Sequence, residues 1–324
     1  MAGTFSNLEN LLDNPGNHFP ISNYALGVYV QSLVLPRLFN RNVEQDFQGQ
    51  RGFVVNVRKP ATTAVETHNF RMRSAQNNSG GVLLENGTDG DTEVQFSDIP
   101  AGEYAQVTIT DHLYNAIRIT DEEATFKLED FARQILAPQA LGVARRAEGI
   151  AAAVIDGLEA DPGIPALEAD GSNLLEVVMA VTTEFDQRYI PRQGRQLLIS
   201  PDLQRHFVLN ENLLRFDASN STEALRDAQV GRLLGFDVYV VNSLAPGTML
   251  AFLQDAFTFV SRVPYAPRGA TATAAQSVES IGMRWLADYD PKTLADRSVV
   301  STFVGASVLD DRLYVKVEVE GAGS

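Results

Sequence analysis

A chain of 324 residues with 44% hydrophobic and 21% charged content has the material for a sizeable core, which excludes a miniprotein and wholesale disorder. The net charge of −15 argues against broad binding to phosphate backbones, whose affinity comes from clustered Lys and Arg. The absence of cysteine removes disulfides, thiolate nucleophiles and cysteine-ligated metal centres at one stroke.

The opening MAGTFSNLENLLDNPGN lacks the basic and apolar regions of a secretion signal, and the sequence contains no long apolar run, so a soluble, non-exported protein is expected. An acidic surface does not exclude proximity to DNA, since it would keep packed polymer from sticking. Lysine occurs only at Lys59, Lys127, Lys292 and Lys316. The arginine excess suits bidentate interface pairs, or equally reflects a GC-rich coding bias.

The first fifty residues carry Pro15, Pro20 and Pro36, and only Tyr24 to Leu38 looks continuously foldable, which reads as an extended arm. From Gly52, GFVVNVRKP alternates as a strand, with EVQFSDI at 93–99 as its return partner. Between them runs a long, polar, glycine-rich excursion with turn signals at 77–81 and 86–91. Loops of this length are functional, disordered or bound to a neighbour. Arg51, Arg58, Lys59, Arg71 and Arg73 gather on its near side, and Glu85, Asp89, Asp91 and Glu93 toward its far end. That separation suits intermolecular docking; a solvated loop with incidental charges is the plain alternative.

Tyr104 to Thr120 alternates as two short strands separated by Asp111, His112 and Leu113. Leu141, Ala144, Ala147, Ala151, Val154 and Leu158 then recur at helical spacing, with Arg145, Arg146, Glu148 and Asp156 off the stripe. Pro138 fits the first turn of this helix or a kink after a shorter helix at 126–136. Gly157, Asp161, Pro162 and Gly163 stop it. Asn173 to Tyr189 is a second helix, with Leu174, Val177, Val178, Val181 and Phe185 on one face.

RQLLISP at 195–201 is a short apolar run closed by Ser200 and Pro201, as expected of a strand buried on both faces. A helical stretch, DLQRHFVLNENLLRFD, and TEALRDAQVGRLL lead into GRLLGFDVYVVN at 231–242, which ends at Asn242. There Phe236, Val238 and Val240 alternate with Asp237, Tyr239 and Val241, and Gly235 supplies a backbone position where a side chain would crowd a turn or bulge. Together these form a βα-type module. After Pro267 the small polar run ATATAAQS suggests a domain boundary. Strands resume at Ile281, Met283 and Trp285, then at SVVSTFVGASV and RLYVKVEVE, the last with Leu313, Val315, Val317 and Val319 on one face.

The chemistry-bearing patterns are sparse. His18, His68, His112 and His206 show no metal-ligand spacing, and the sequence has no phosphate loop, dinucleotide fingerprint or nucleophile elbow. The acid pairs Glu122–Glu123, Asp288–Asp290 and Asp310–Asp311 read as solvated surface, the last as a turn between strands. No enzyme activity, cofactor or metal is expected.

The order of these parts resembles the major capsid protein of tailed bacteriophages, the Hong Kong 97 type. RQLLISP and GRLLGFDVYVVN look like that family's axial-domain strand pair. The resemblance implies an α+β fold with an N-terminal arm at 1–49, an extended β-hairpin loop at 50–103, a peripheral domain with a long spine helix at 104–164 and 275–324, and an α/β axial domain at 165–274. It implies self-assembly, as hexamers and pentamers, into an icosahedral head shell enclosing phage DNA without sequence-specific binding. The expected partners are other copies of the chain, a separate scaffolding protein and a portal, with no membrane. The expected location is the virion, after assembly in the bacterial host cytoplasm.

On this reading Arg51, Arg58, Arg71 and Arg73 are candidates for pairing with acids of an adjacent subunit, while Pro201, Gly235, Phe236 and Asn242 belong to the fold motif. Some relatives crosslink subunits through a loop lysine, but residues 60–103 contain none and Lys59 lies at the base. Crosslinking is therefore not expected. The short stretch before the loop leaves no room for a cleaved scaffolding segment, hence the separate scaffold. The alternatives are an encapsulin-like cellular shell of the same fold, another virion component such as a tail or decoration protein, and a soluble hydrolase using a carboxylate pair.

Overall fold

The computed structural model describes residues 18–42, 53–58, 104–126, 131–209, 229–267, 269, 272–278 and 281–320. The chain divides into two units, Arg58–Ala105 and the remainder. The helices are α1 (His18–Gln31), α2 (Leu35–Leu38), α3 (Asp121–Phe126), α4 (Ala137–Asp156), α5 (Leu174–Gln187) and α6 (Pro201–Leu209). The strands are β1 (Val54–Arg58), β2 (Tyr104–Thr108), β3 (Asp111–Thr120), β4 (Arg195–Ile199), β5 (Gln229–Leu233), β6 (Phe236–Val240), β7 (Met249–Leu253), β8 (Phe257–Arg262), β9 (Ala272–Val278), β10 (Ile281–Asp290), β11 (Ala295–Val308) and β12 (Tyr314–Val317).

Part of the expected N-terminal arm is not extended. Ala25, Leu26, Tyr29 and Leu33 recur at three- and four-residue steps, and this stripe winds 18–31 into a helix whose apolar face is buried in the core. Of the prolines that suggested an arm, Pro36 sits in the first turn of α2, where a missing N–H costs nothing, and Pro15 lies outside the described residues. Beyond α2, Phe39 stacks on Phe257 at 5.1 Å, and Asn40 exchanges backbone hydrogen bonds with Phe257 and Phe259.

β1 pairs with β2. Its expected partner, 93–99, lies outside the described residues. The break between the next two strands falls at Ile109–Thr110, so Asp111, His112 and Leu113 belong to β3. There the backbone passes so close to β11 that a Cβ on Gly305 would meet the Thr108 carbonyl oxygen at 2.2 Å, leaving room only for glycine.

A π-helical turn, Ala132–Leu136, leads directly into α4, with the Ala137 N–H reaching back to the Ala132 carbonyl. Pro138 stands in the first turn of α4. It brings no N–H to the Gln134 carbonyl and its ring would crowd that oxygen, and the wider turn makes the room. The buried face of α4 is rotated from the expected stripe: Ala140, Val143, Ala144, Ala147, Glu148, Ala151, Ala152 and Ile155 are buried, while Leu141, Val154 and Leu158 flank it. Helix α4 lies on a sheet ordered β3-β11-β10-β9, with β8 also paired to β11. The run ATAAQSV, within the small polar stretch after Pro267, is a strand of this sheet. Between helix and sheet, Gln139 Nε2 donates to the carbonyls of Asn115 and Ser298, Ser298 Oγ donates to Gln139 Oε1, and Trp285 Nε1 donates to Ser298 Oγ.

The second sheet is ordered β12-β7-β4-β6-β5, with β4 and β6 parallel and the other pairs antiparallel. The two quoted sequence runs are therefore neighbours, joined by the crossover through α6, as the βα-type reading expects. Both faces are covered. Leu198, Leu250 and Phe252 face the core shared with α1 and α4, whereas Leu197, Ile199, Met249 and Ala251 face Val177, Val181 and Phe185 of α5 and Leu203 and Phe207 of α6. Double burial explains the unbroken apolar run at 197–199. Sheet membership divides the chain at other points than the expected domain limits: β8 stands in the first sheet and β12 closes the second.

Candidate assembly site

Two clusters brace the second sheet at named positions. At the start of β4 the Arg195 side chain is 1% exposed. Its Nε donates to the Pro191 carbonyl at 2.9 Å and its Nη2 to Asp186 Oδ1 at 2.8 Å and to the Ile190 carbonyl. The guanidinium carbon lies 5.2 Å and 5.9 Å from the ring centroids of Phe185 and Phe236, so the buried cation has both donor partners and aromatic faces. Arg192 pairs with the same Asp186 at 2.6 Å. Arg192 first and then Arg195 hold that carboxyl below its ordinary range. These bonds tie the 188–194 connection to α5 and to the start of β4.

At the other cluster, Lys316 of β12 caps the C-terminal end of α4, donating from Nζ to the carbonyls of Ile155, Asp156 and Leu158 at 3.2, 2.9 and 2.8 Å. This satisfies orphan carbonyls with a cation at the negative end of the helix dipole. Burial lowers the Lys316 pKa, opposed by Asp156. The Asp156 carboxylate accepts from Ala245 N and Thr248 Oγ1, tying the helix end to the turn after β6. Arg188 adds ion pairs to Asp161 at 2.6 Å and Glu184 at 2.7 Å, and donates to the Tyr314 carbonyl. A cleft of about 400 Å3 opens beside Asp156, Thr248 and Lys316. The ammonium meets the helix carbonyls of Ile155 and Asp156 and the Leu158 carbonyl just beyond the helix, so Lys316 serves the fold there.

The acid pairs are likewise structural. Thr120 Oγ1 accepts from Glu123 N while Glu123 Oε2 accepts from Thr120 N, a capping box that starts α3. Asp288 pairs with Arg297. Asp310 accepts from the backbone and side chain of Arg312, forming the turn between β11 and β12 that the sequence suggests. Among the described residues, no group of three or more His, Cys, Asp or Glu side chains could hold a metal ion, and no helix is long and apolar enough to cross a membrane.

Of the candidate interface residues, Arg51, Arg71 and Arg73 lie outside the described residues, and Arg58 ends β1, its side chain outside them as well. Pro201 is the first residue of α6, and before it the Ser200 N–H still donates to the Thr248 carbonyl at 3.0 Å. Gly235, at φ +93°, forms with Leu234, at φ +47°, the two-residue turn between β5 and β6. A Cβ on Gly235 would meet nothing within 4 Å, so backbone conformation and not space selects glycine there. Phe236 is fully buried and packs edge-on against Phe185 at 5.4 Å. Asn242 is exposed just after β6. The sequence reading missed Glu148, Arg195, Lys316 and Gln139. The signal for Arg195 was a charge opening a doubly buried strand, which only a partnered guanidinium can occupy.

Comparison with solved structures identifies the architecture. A structure from Mycobacterium phage Che8 matches with a TM-score of 0.58 at 16% identity, covering 90% of this chain and 92% of that one. The mature capsid of bacteriophage PhiM1 matches at 0.56 and 11% identity, over 84% and 83% of the two chains. The capsid of cyanophage P-SCSP1u matches at 0.55 and 14% identity, over 83% and 84%. No protein-family model matches the sequence, and no curated protein does. The chain has the fold of tailed-phage major capsid proteins.

Proposed function

We propose that this chain is a major capsid protein that self-assembles into the icosahedral head shell of a tailed phage. The observation that carries the proposal is the extent of the fold match: solved phage capsid subunits are covered over 83–84% of their length by 83–84% of this chain. A shell subunit needs repeated contacts that close by symmetry, and it needs braced domains more than a reactive centre. Buried and half-buried ionic groups here cap helices and tie strands, as Glu148, Arg195 and Lys316 do. The net charge of −15 suits a shell whose contents are DNA, because it keeps the polymer from adhering.

In the Hong Kong 97 arrangement, α4 is the spine helix, the sheet beneath it the peripheral domain, the sheet built on β4 and β6 the axial domain, and 50–103, with its one lysine at Lys59, the extended loop. Hexamers and pentamers, a separate scaffolding protein, a portal, assembly in the host cytoplasm and residence in the virion follow from that assignment. The protein then acts by assembly and not by catalysis.

Electron microscopy and analytical ultracentrifugation of the overexpressed chain test this. Shells, tubes or capsomer-sized rings are the expected products. A compact single copy at every concentration, with or without scaffolding partner, overturns the proposal.

A further inference from the structure

Among the described residues, three that are not glycine adopt a left-handed backbone: Tyr189 at φ 57°, Leu234 at φ 47° and Leu294 at φ 43°. Chains ordinarily place Gly, Asn or Asp at such positions, because a Cβ crowds the following carbonyl and bulky residues there are outliers. All three here are large, apolar and exposed, by 94%, 42% and 61%. Leu234 is the clearest case: it opens a two-residue hairpin turn before Gly235, the position where Asn before Gly is the favoured pair. A strained apolar side chain directed at water gains nothing inside its own chain over glycine or asparagine.

Two of the three lie at one end of the second sheet. β4 and β6 run parallel, with Gln196 opposite Asp237, so the connection entering β4 and the turn entering β6 emerge at the same end. Tyr189 is on the first and Leu234 on the second. Beneath them, Arg195 donates to the carbonyls of Ile190 and Pro191 and lies against Phe236, which ties down the base while the tips stay exposed. Arg188, Arg192, Arg195 and Arg232 are each paired with a carboxylate, drawn from Asp161, Glu184, Asp186 and Asp237. Four arginines meet four carboxylates in a chain of net charge −15. Two copies of so acidic a chain repel, and the paired arginines beside Tyr189 and Leu234 lessen that repulsion locally, where a second copy can approach.

We propose that Tyr189 and Leu234 form a contact surface for a second copy of this chain. The inference rests on the shell reading and adds to it which turns carry a subunit contact. The neighbour buries the two side chains, and that burial offsets the backbone strain the isolated chain bears.

The test is the double variant Tyr189→Gly with Leu234→Gly. Glycine relieves the strain and removes the contact, so the two readouts move apart. The thermal midpoint of the unassembled chain stays the same or rises, while the concentration needed for particles rises ~10-fold or more, as for loss of anchoring residues in an interface. Because the chain has no cysteine, Tyr189→Cys supplies a single thiol. It reacts readily with a maleimide in the unassembled chain and is protected in particles. If the parent chain forms no assemblies, the shell reading and this surface fall together. If the parent assembles and the glycine variant does so at the same concentration, this surface alone is overturned. A lowered midpoint overturns it as well, because the residues would then be serving their own fold.

Discussion

Glu148, midway along α4, accepts the backbone N–H of Leu35 at 3.0 Å across 113 residues of sequence, and its second oxygen accepts that of Val34 at the same distance. One buried carboxylate thus satisfies orphan donors at the start of α2 and pins the N-terminal helical segment to the long helix. Replacing Glu148 with alanine is expected to cost about 2–4 kcal/mol, the cost of unsatisfied buried donors plus a small cavity. Denaturant unfolding checks this, and an unchanged midpoint contradicts it.

The same carboxylate gives a pH dependence. Burial pushes its pKa above the ordinary 4.5, with the Leu35 and Val34 N–H groups pulling the other way. A raised folded-state pKa means that the folded chain holds the proton more tightly than the unfolded chain. This contribution to stability is fully present below 4.5 and is lost as pH rises through the folded pKa. Glu148→Gln removes the titration, so its penalty relative to the parent should be larger at pH 4 than at pH 7. Equal penalties at both pH values would show that the group does not titrate with a raised pKa.

Arg195→Ala leaves Asp186 with one partner fewer and two carbonyls without their donor, and is expected to cost about 3 kcal/mol. Arg195→Lys should recover only part of this, because an ammonium lacks the fork that meets three acceptors and the plane that lies against Phe185 and Phe236. Full recovery by lysine in thermal unfolding would reduce the brace to simple charge.

Phe236→Ala empties a fully buried site beside Phe185 and should cost roughly 3–5 kcal/mol. Calorimetry that finds the parent's unfolding midpoint refutes that packing role.

Ser298→Ala removes the acceptor of Trp285 Nε1 and the donor to Gln139 Oε1 at the interface of α4 with its sheet. A loss of about 1–3 kcal/mol is expected, and a double-mutant cycle with Gln139→Leu should be non-additive. Strict additivity would mean that the network is not coupled.

Reversal of Arg71 and Arg73 to glutamate is expected to weaken particle assembly while leaving the unfolding of the single chain unchanged. Particles in normal yield from that variant remove those arginines from the interface. In particles of the parent, a denaturing gel should show single-chain bands, since residues 60–103 offer no lysine for a crosslink.

Local patterns carried much of this fold. The face Leu174, Val177, Val178, Val181 and Phe185 is buried as its spacing implies, because helical periodicity and burial record the same geometry. Strands form at 195–199 and 236–240 within the two quoted runs, and Gly235 stands at a turn, though its left-handed backbone and not crowding of a side chain selects glycine there. Patterns failed where a polar residue points inward. Glu148 looked like part of the solvent face because its partners, Val34 and Leu35, lie far away in sequence and are backbone groups that leave no mark on composition.

By itself, then, the amino-acid order determined where many of the helices and strands form and that the apolar run at 197–199 would be doubly buried, since those depend on neighbours within a few residues. Only the tertiary structure decided that β8 joins the first sheet, that β12 closes the second, and that the N-terminal helix folds onto α4. Those pairings join segments far apart along the chain. Their free energy comes from shape and from hydrogen bonds completed at a distance, which no local periodicity encodes.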